Sequence, residues 1–236
     1  MTFWVPSSYP NPPQSMFVSV LTTTYNRSKF IPALIQCYEQ QRYPHASMEW
    51  LILDDGDPEE QRATQALFDA ASQTLPNIRY IKSLVKHTMG HKMNSLTEAS
   101  RGDILVVMDD DDYYPPTRVS SVVAAFRAHP TYNLAGCSKV YMYFTDEDAI
   151  YVAGPYHDRH ALHCTMAYRR TYLLHHKYDD DEPCAVERVF TNNFTEPIYQ
   201  LGSKQTILHM IHTTNTYQGK RSVSGLRKTT LTRSAF

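Results

Sequence analysis

The chain has 236 residues, with 23 Lys plus Arg against 24 Asp plus Glu and a formal net charge of −1. So even a balance provides no global positive field for a nucleic-acid backbone or an anionic membrane, which excludes nucleic acid as a bulk partner. Apolar residues make up 42% and charged residues 20%, the composition of a folded globular chain and not of a disordered one.

No run approaches the ~20 consecutive apolar residues that a membrane span needs. No basic segment followed by an apolar one opens the sequence, so a cytoplasmic protein is expected. Cys37, Cys137, Cys164 and Cys184 are widely spaced with no CxxC pair, which predicts buried thiols in place of a disulfide frame or a zinc site.

Pro6, Pro10, Pro12 and Pro13 remove backbone donors from residues 1–16 and favour extended conformations, which predicts an arm ahead of the fold. Residues 17–21 form an apolar, β-branched strand that ends in a polar loop at 22–26, and a helix with Pro32 in its first turns runs to about residue 41. Residues 48–53 are a second strand, cut off by Asp54, Asp55, Gly56, Asp57 and Pro58 and followed by a helix over 59–72. A third strand at 78–81, a helix at 92–99, a doubly buried strand at 103–108 and a helix at 117–129 continue the alternation. The pattern predicts an α/β fold with a mostly parallel central sheet flanked by helices. Beyond residue 130 it changes: residues 141–152 and 162–168 are strand-like without long helices between them. The last residues, from Lys220, carry Arg221, Arg227, Lys228 and Arg233 and no acid. They read as a solvated basic tail or a flap that closes over a ligand. The chain reads as one domain in two halves, 17–130 and 131–236.

Asp109, Asp110, Asp111 and Asp112 follow directly on the apolar strand. Adjacent carboxylates raise one another's proton affinity, so their concentration at a strand end makes physical sense beside a cation. The Asp54–Asp55 pair and the loop at 22–26 also follow strand ends, where open α/β sheets bind ligands. Hard oxygen ligands favour Mg²⁺ or Mn²⁺, which share coordination with substrate phosphates. With 8 glycines and neither G-x-G-x-x-G nor G-x-x-x-x-G-K-[ST], phosphates would be held by metal and side chains.

The segments VSVLTTTYNR at 18–27, WLILDDGD at 50–57, GHKMN at 90–94 and RGDILVVMDDDDYYPP at 101–116 resemble, in order, the nucleotide-binding segments of inverting glycosyltransferases with the glycosyltransferase-A fold, family 2 type. The resemblance covers roughly residues 17–130 and implies a nucleotide-sugar-binding half there, with a smaller acceptor-binding half at 131–236. It implies that Thr22, Thr24, Tyr25 and Arg27 line the base and ribose, and that Asp54 and Asp55 hold the nucleoside, Asp54 reaching the base. Lys92 would meet the phosphates. Asp109 and Asp111 match the two acids of the Asp-x-Asp motif, with Asp110 between them: Asp111 would ligate Mn²⁺ or Mg²⁺, and Asp109 would lie near the ribose or the metal. His212, after a strand-like 207–211, would be a further metal or diphosphate contact. The general base would come from the acidic stretch at 179–187, as Glu187 or, failing that, Asp181. The usual Glu-Asp pair is here Val186 and Glu187.

The activity implied is metal-dependent transfer of a sugar from a nucleotide-diphosphate donor, a UDP-sugar favoured over GDP- or dTDP-sugars, to the hydroxyl of a glycan or other acceptor. Two readings compete: a nucleotidyltransferase, which would need an early basic or Gly-rich phosphate loop where only Arg27 stands, and a non-catalytic, metal-dependent carbohydrate-binding protein.

Overall fold

A computed structural model describes residues 16–215 and 223–236. The predicted arm, apart from Met16, lies outside those residues, as do Lys220 and Arg221.

Three parallel strands form the centre: β1 (Val18–Thr24), β2 (Met48–Asp54) and β4 (Ile104–Val107), with β3 (Ile78–Lys82) outside β2. Helices α1 (Ile31–Glu39), α2 (Pro58–Ala71), α3 (Met89–Ala99) and α4 (Arg118–Ala128) link or follow them. Short elements complete the chain: β5 (Leu134–Gly136), β6 (Val140–Phe144), β7 (Ala149–Ala153), β8 (Ala167–Arg169), α5 (Glu187–Phe190), β9 (Ile198–Gln200), α6 (Ser203–Thr206), β10 (His209–Ile211) and β11 (Arg227–Lys228). The seven-stranded sheet has the order β3-β2-β1-β4-β8-β5-β9, with β8 antiparallel to both its neighbours. The mostly parallel sheet read from the sequence is present. It also crosses residue 130, because β5, β8 and β9 belong to it.

Every residue of β1 and of β2 is buried, as strands covered on both faces must be. On one face Trp50 stacks on Tyr38 at 4.5 Å and meets Phe68 edge-on at 5.1 Å, joining β2 to α1 and α2. On the other, Leu21, Leu51 and Leu105 pack against Met93 and Leu96 of α3 and against Tyr168, Tyr178 and Phe190. Truncating a core aromatic such as Trp50 to Ala costs ~3–5 kcal/mol.

Several bounds differ from the sequence reading for local reasons. β1 runs to Thr24 because its ladder with β2 continues to the Thr24↔Asp54 pair. α3 begins at Met89, three residues before the predicted start, because the Thr88 side chain accepts from the His91 N–H at 3.2 Å. Residues 141–152 form a hairpin, β6 and β7, turning through Asp148 at φ 45°. This hairpin is the middle of a second sheet, β10-β6-β7-β11. The solvated tail is corrected over its described part: Arg227 and Lys228 pair with Val152 and Tyr151 as an edge strand, and Val223 and Leu226 cover Phe144 and Tyr151. No helix among the described residues is long and apolar enough to cross a membrane.

Candidate active site

Because β1, β2 and β4 are parallel, their carboxyl ends deliver the loops at 24–27, 54–57 and 108–112 to one edge of the large sheet. Thr22 fastens this edge from below: its hydroxyl donates to the Met108 carbonyl at 2.7 Å and accepts from Trp50 Nε1 at 2.9 Å. The residue is 1% exposed, so it sits beneath the loop surface and not on the base-lining wall expected for it. Thr24 is buried beside Asp110. The Tyr25 ring lies under the Lys86 ammonium at 4.0 Å.

The β2 acids are buried and fully engaged. Asp54 accepts from the Gly56 N–H at 2.8 Å and from the Tyr80 hydroxyl at 2.6 Å. Burial, and then that contact with Asp54, raise the Tyr80 pKa well above its ordinary range. Asp55 accepts from Lys92 Nζ at 2.8 Å and from the His87 N–H at 2.7 Å. Lys92 therefore faces the β2 pair, with its side chain 8% exposed, and its Nζ lies 3.5 Å from the Thr24 carbonyl.

Those four side chains part company. Arg27 Nη1 donates to Asp110 and to Asp111, each at 2.7 Å, while its Nη2 donates to the Thr214 carbonyl at 2.8 Å. Asp111 Oδ2 also meets Asn215 Nδ2 at 3.1 Å and His212 Nε2 at 3.2 Å. Asp112 pairs with His209 Nδ1 at 2.8 Å and accepts from the Met210 N–H at 2.8 Å. Burial pushes Asp109 well above the usual carboxylate range, and Asp112, Asp111 and Asp110 push it further. Burial also pushes Asp110 up, to about 6, against the pull of Arg27. For Asp111 burial loses: the His212 hydrogen bond and Arg27 hold its carboxyl below the ordinary value. Burial would lower His209, but Asp112 outweighs it and carries the imidazole to about 9.

Residues 178–190 pack on the α3 side of the large sheet, where Tyr178, Val186 and Phe190 join Met93 and Leu96 in one cluster. The segment docks on the start of α3, where the Gly90 N–H donates to the Glu182 carbonyl at 3.0 Å and a Cβ at Gly90 would stand 1.7 Å from the Asp179 carbonyl oxygen. Glu187 opens α5 with Oε2 buried and without a hydrogen-bond partner among the described residues. Burial, and then Glu182, raise its pKa. Burial raises the pKa of both Cys164 and Tyr178, and the charges of Asp109 and Glu187 add to it. Asp181 is exposed on a turn, its N–H bonded to Asp179 Oδ1 at 3.1 Å. His163 presents its ring edge-on to Tyr178 at 5.6 Å with a buried, unpartnered Nε2, and burial lowers its pKa to about 4.

The arrangement thus gathers Thr24, Arg27, Asp109, Asp110, Asp111 and His212 in one cluster, sets Asp54, Asp55 and Lys92 beside it, and keeps Asp181 outside. A hard divalent ion fits the cluster: Asp111 and His212 already converge, Asp110 Oδ2 is a buried oxygen without a hydrogen-bond partner among the described residues, and four acids exceed the adjoining cations. A cavity of about 830 Å³ opens beside Asp111 and His212, walled in part by Phe30, Met210 and Phe236.

Two participants escaped the sequence reading. His209 has no local signature, since its partner Asp112 is 97 residues away. Arg118 is fully buried and donates to the Val107 and Met166 carbonyls at 3.1 and 2.8 Å, bracing the acid loop from beneath. It shares a helical face with Val119, Val122 and Phe126, and an arginine in that apolar stripe was the available signal.

The family model described as glycosyl transferase family 2 matches residues 19–189. No curated protein sequence matches. Among solved structures, TarS residues 1–349 of S. aureus superposes with TM-score 0.67 at 18% identity, covering 83% of this chain and 60% of that one. The same protein in complex with UDP-GlcNAc gives 0.68 at 17%, with 85% and 60% covered. The mannosyltransferase PcManGT from Pyrobaculum calidifontis, in complex with GDP-Man and Mn²⁺, gives 0.63 at 15%, with 89% and 61% covered. This chain spans about 60% of the length of those chains.

Proposed function

The chain belongs to glycosyl transferase family 2, and from that membership we propose that it transfers a sugar from a nucleotide-diphosphate donor to an acceptor hydroxyl, in one displacement that inverts the anomeric centre. The observation that carries this reading is the difference between the acid cluster after β4 and the carboxylate that opens α5. One side is a run of acids on which Arg27, His209, His212 and Asn215 converge, with Asp110 Oδ2 still without a hydrogen-bond partner among the described residues. The other is a single carboxylate, Glu187, with a raised pKa and an unpartnered oxygen. The first suits a leaving diphosphate and its metal; the second suits a proton acceptor.

In this reading Asp55, fixed by Lys92, and Asp54, fixed by Tyr80, hold the nucleoside beside Tyr25. Asp109 would lie near the ribose or the metal. Asp111 and His212 would hold Mn²⁺ or Mg²⁺, which supplies charge neutralisation at the diphosphate when bound. Arg27, tethered to Asp110 and Asp111, is placed to follow the diphosphate as its charge grows. Glu187 takes the proton from the acceptor hydroxyl as that oxygen bonds to the anomeric carbon and the bond to the diphosphate breaks. The electron pair of the broken bond leaves on the nucleoside diphosphate. A UDP-sugar is the favoured donor, with GDP- and dTDP-sugars as alternatives. TarS and PcManGT, crystallised with UDP-GlcNAc and with GDP-Man plus Mn²⁺ respectively, support the donor class.

The test is a thermal-shift panel of UDP-, GDP- and dTDP-sugars with and without Mn²⁺, followed by transfer assays on glycan acceptors. Stabilisation by one nucleotide class that depends on the metal is expected; no stabilisation by any nucleotide sugar would sink the reading.

A further inference from the structure

One residue beyond the hard-oxygen cluster the chemistry changes. Asp112, Cys164 and His209 bring a carboxylate oxygen, a thiol sulfur and an imidazole nitrogen within 4.8 Å of one another. They come from three separate segments: the acid loop after β4, the 3-10 turn at His163–Thr165, and β10. Asp112 and Cys164 are each 5% exposed. The segments are already tied together. Tyr113 and Leu208 form a β-bridge, and the Tyr114 hydroxyl donates to the Cys164 carbonyl at 3.2 Å while accepting from the Asp109 N–H at 2.7 Å. The Met210 N–H on Asp112 Oδ1 fixes the carboxylate, the outer support that orients metal ligands.

We propose that Asp112, Cys164 and His209 form a second metal site, specific for a thiophilic divalent ion such as zinc and distinct from the hard-ion site on Asp111. Mixed sulfur, nitrogen and oxygen donors in a three-ligand set with an open fourth position suit tetrahedral zinc, whereas Mg²⁺ and Mn²⁺ discriminate against a thiol. Binding releases two protons, one from the Cys164 thiol and one from the His209 imidazolium, and replaces the Asp112–His209 ion pair with bonds to the ion. The side chains must close by roughly an ångström to reach bond lengths of about 2.0–2.3 Å. The ion would pin the acid loop to β10 and to the turn that carries Cys164, holding Asp111 at its post whether or not a donor is bound.

Cobalt(II) reports directly on such a site. Chelator-treated full-length protein titrated with Co²⁺ should develop a near-ultraviolet thiolate-to-cobalt absorption that saturates at one equivalent. Zn²⁺ should abolish the band and excess Mg²⁺ should leave it. Cys164→Ser should remove it, His209→Gln should weaken Co²⁺ binding by about tenfold or more, and Asp111→Asn should leave it intact. Because Cys164→Ser could fail to fold, a Cys37→Ser, Cys137→Ser, Cys184→Ser variant, whose only thiol is Cys164, must keep the band. No band in the parent protein, a band that survives Cys164→Ser, or its loss in the triple variant overturns the proposal. None of these readings depends on glycosyl transfer.

Discussion

The acids that follow the central strands and the lone carboxylate that opens α5 are held differently. On the β1–β2–β4 side, Asp54, Asp55, Asp110, Asp111 and Asp112 each accept from at least one named donor at 2.6–3.2 Å. On the α5 side, Glu187 keeps one oxygen buried without a hydrogen-bond partner among the described residues; Asp110 also has such an oxygen, but its other one is held by Arg27. Despite burial, His212 and Arg27 hold Asp111 below the ordinary carboxylate value, whereas burial and Glu182 leave Glu187 above its own.

The sharpest attempt to break this contrast removes the acid proposed to face a metal. Asp111→Ala should lower transfer by about 10³-fold or more and abolish the Mn²⁺ dependence of nucleotide binding seen by calorimetry; transfer that continues unchanged would refute the role. Glu187→Gln comes next: transfer should fall by about 10²–10⁴-fold with the donor dissociation constant unchanged. In the parent protein the acidic limb of the rate profile should lie above the range of an ordinary glutamate, because burial raises the pKa of the group that must be ionised.

Lys92→Met probes the bound side by stability. It strands Asp55, whose side chain is 0% exposed, and should cost about 3–5 kcal/mol in urea denaturation, besides weakening nucleotide binding. His163 gives the smallest effect. Its pKa is about 4 in the fold, below the ordinary value, so its contribution is whole above pH ~6.5 and is lost as pH falls toward 4, up to about 3 kcal/mol. His163→Gln should flatten that part of the stability profile by one proton.

The first half was legible because each strand there is a continuous apolar run that stops abruptly at a polar cluster. Residues 48–53 and 103–108 announce both the strand and the loop beyond it, and β2 and β4 lie within a residue of those bounds. The acid cluster was legible for the same reason. The second half was less so, because its strands are two to five residues long and, apart from the β6–β7 hairpin, pair across wide sequence gaps. β8 enters the sheet antiparallel between β4 and β5, which no local pattern encodes. The inward turn of Thr22, the Lys92–Asp55 pair and the Asp112–His209 contact are likewise products of tertiary placement, fixed by partners 28 to 97 residues away.

Gly90 carries a consequence for anyone who would re-engineer this molecule. The helix that carries it presents Lys92 to the β2 acids two residues later, while its first residues lie flush against the backbone that leads to Glu187. Both regions are thus moored to a single post, and the mooring has no room for even a methyl group. Grafting a foreign 178–190 segment to change the acceptor would therefore need to reproduce that bare backbone contact at position 90, or else displace the nucleotide side along with it.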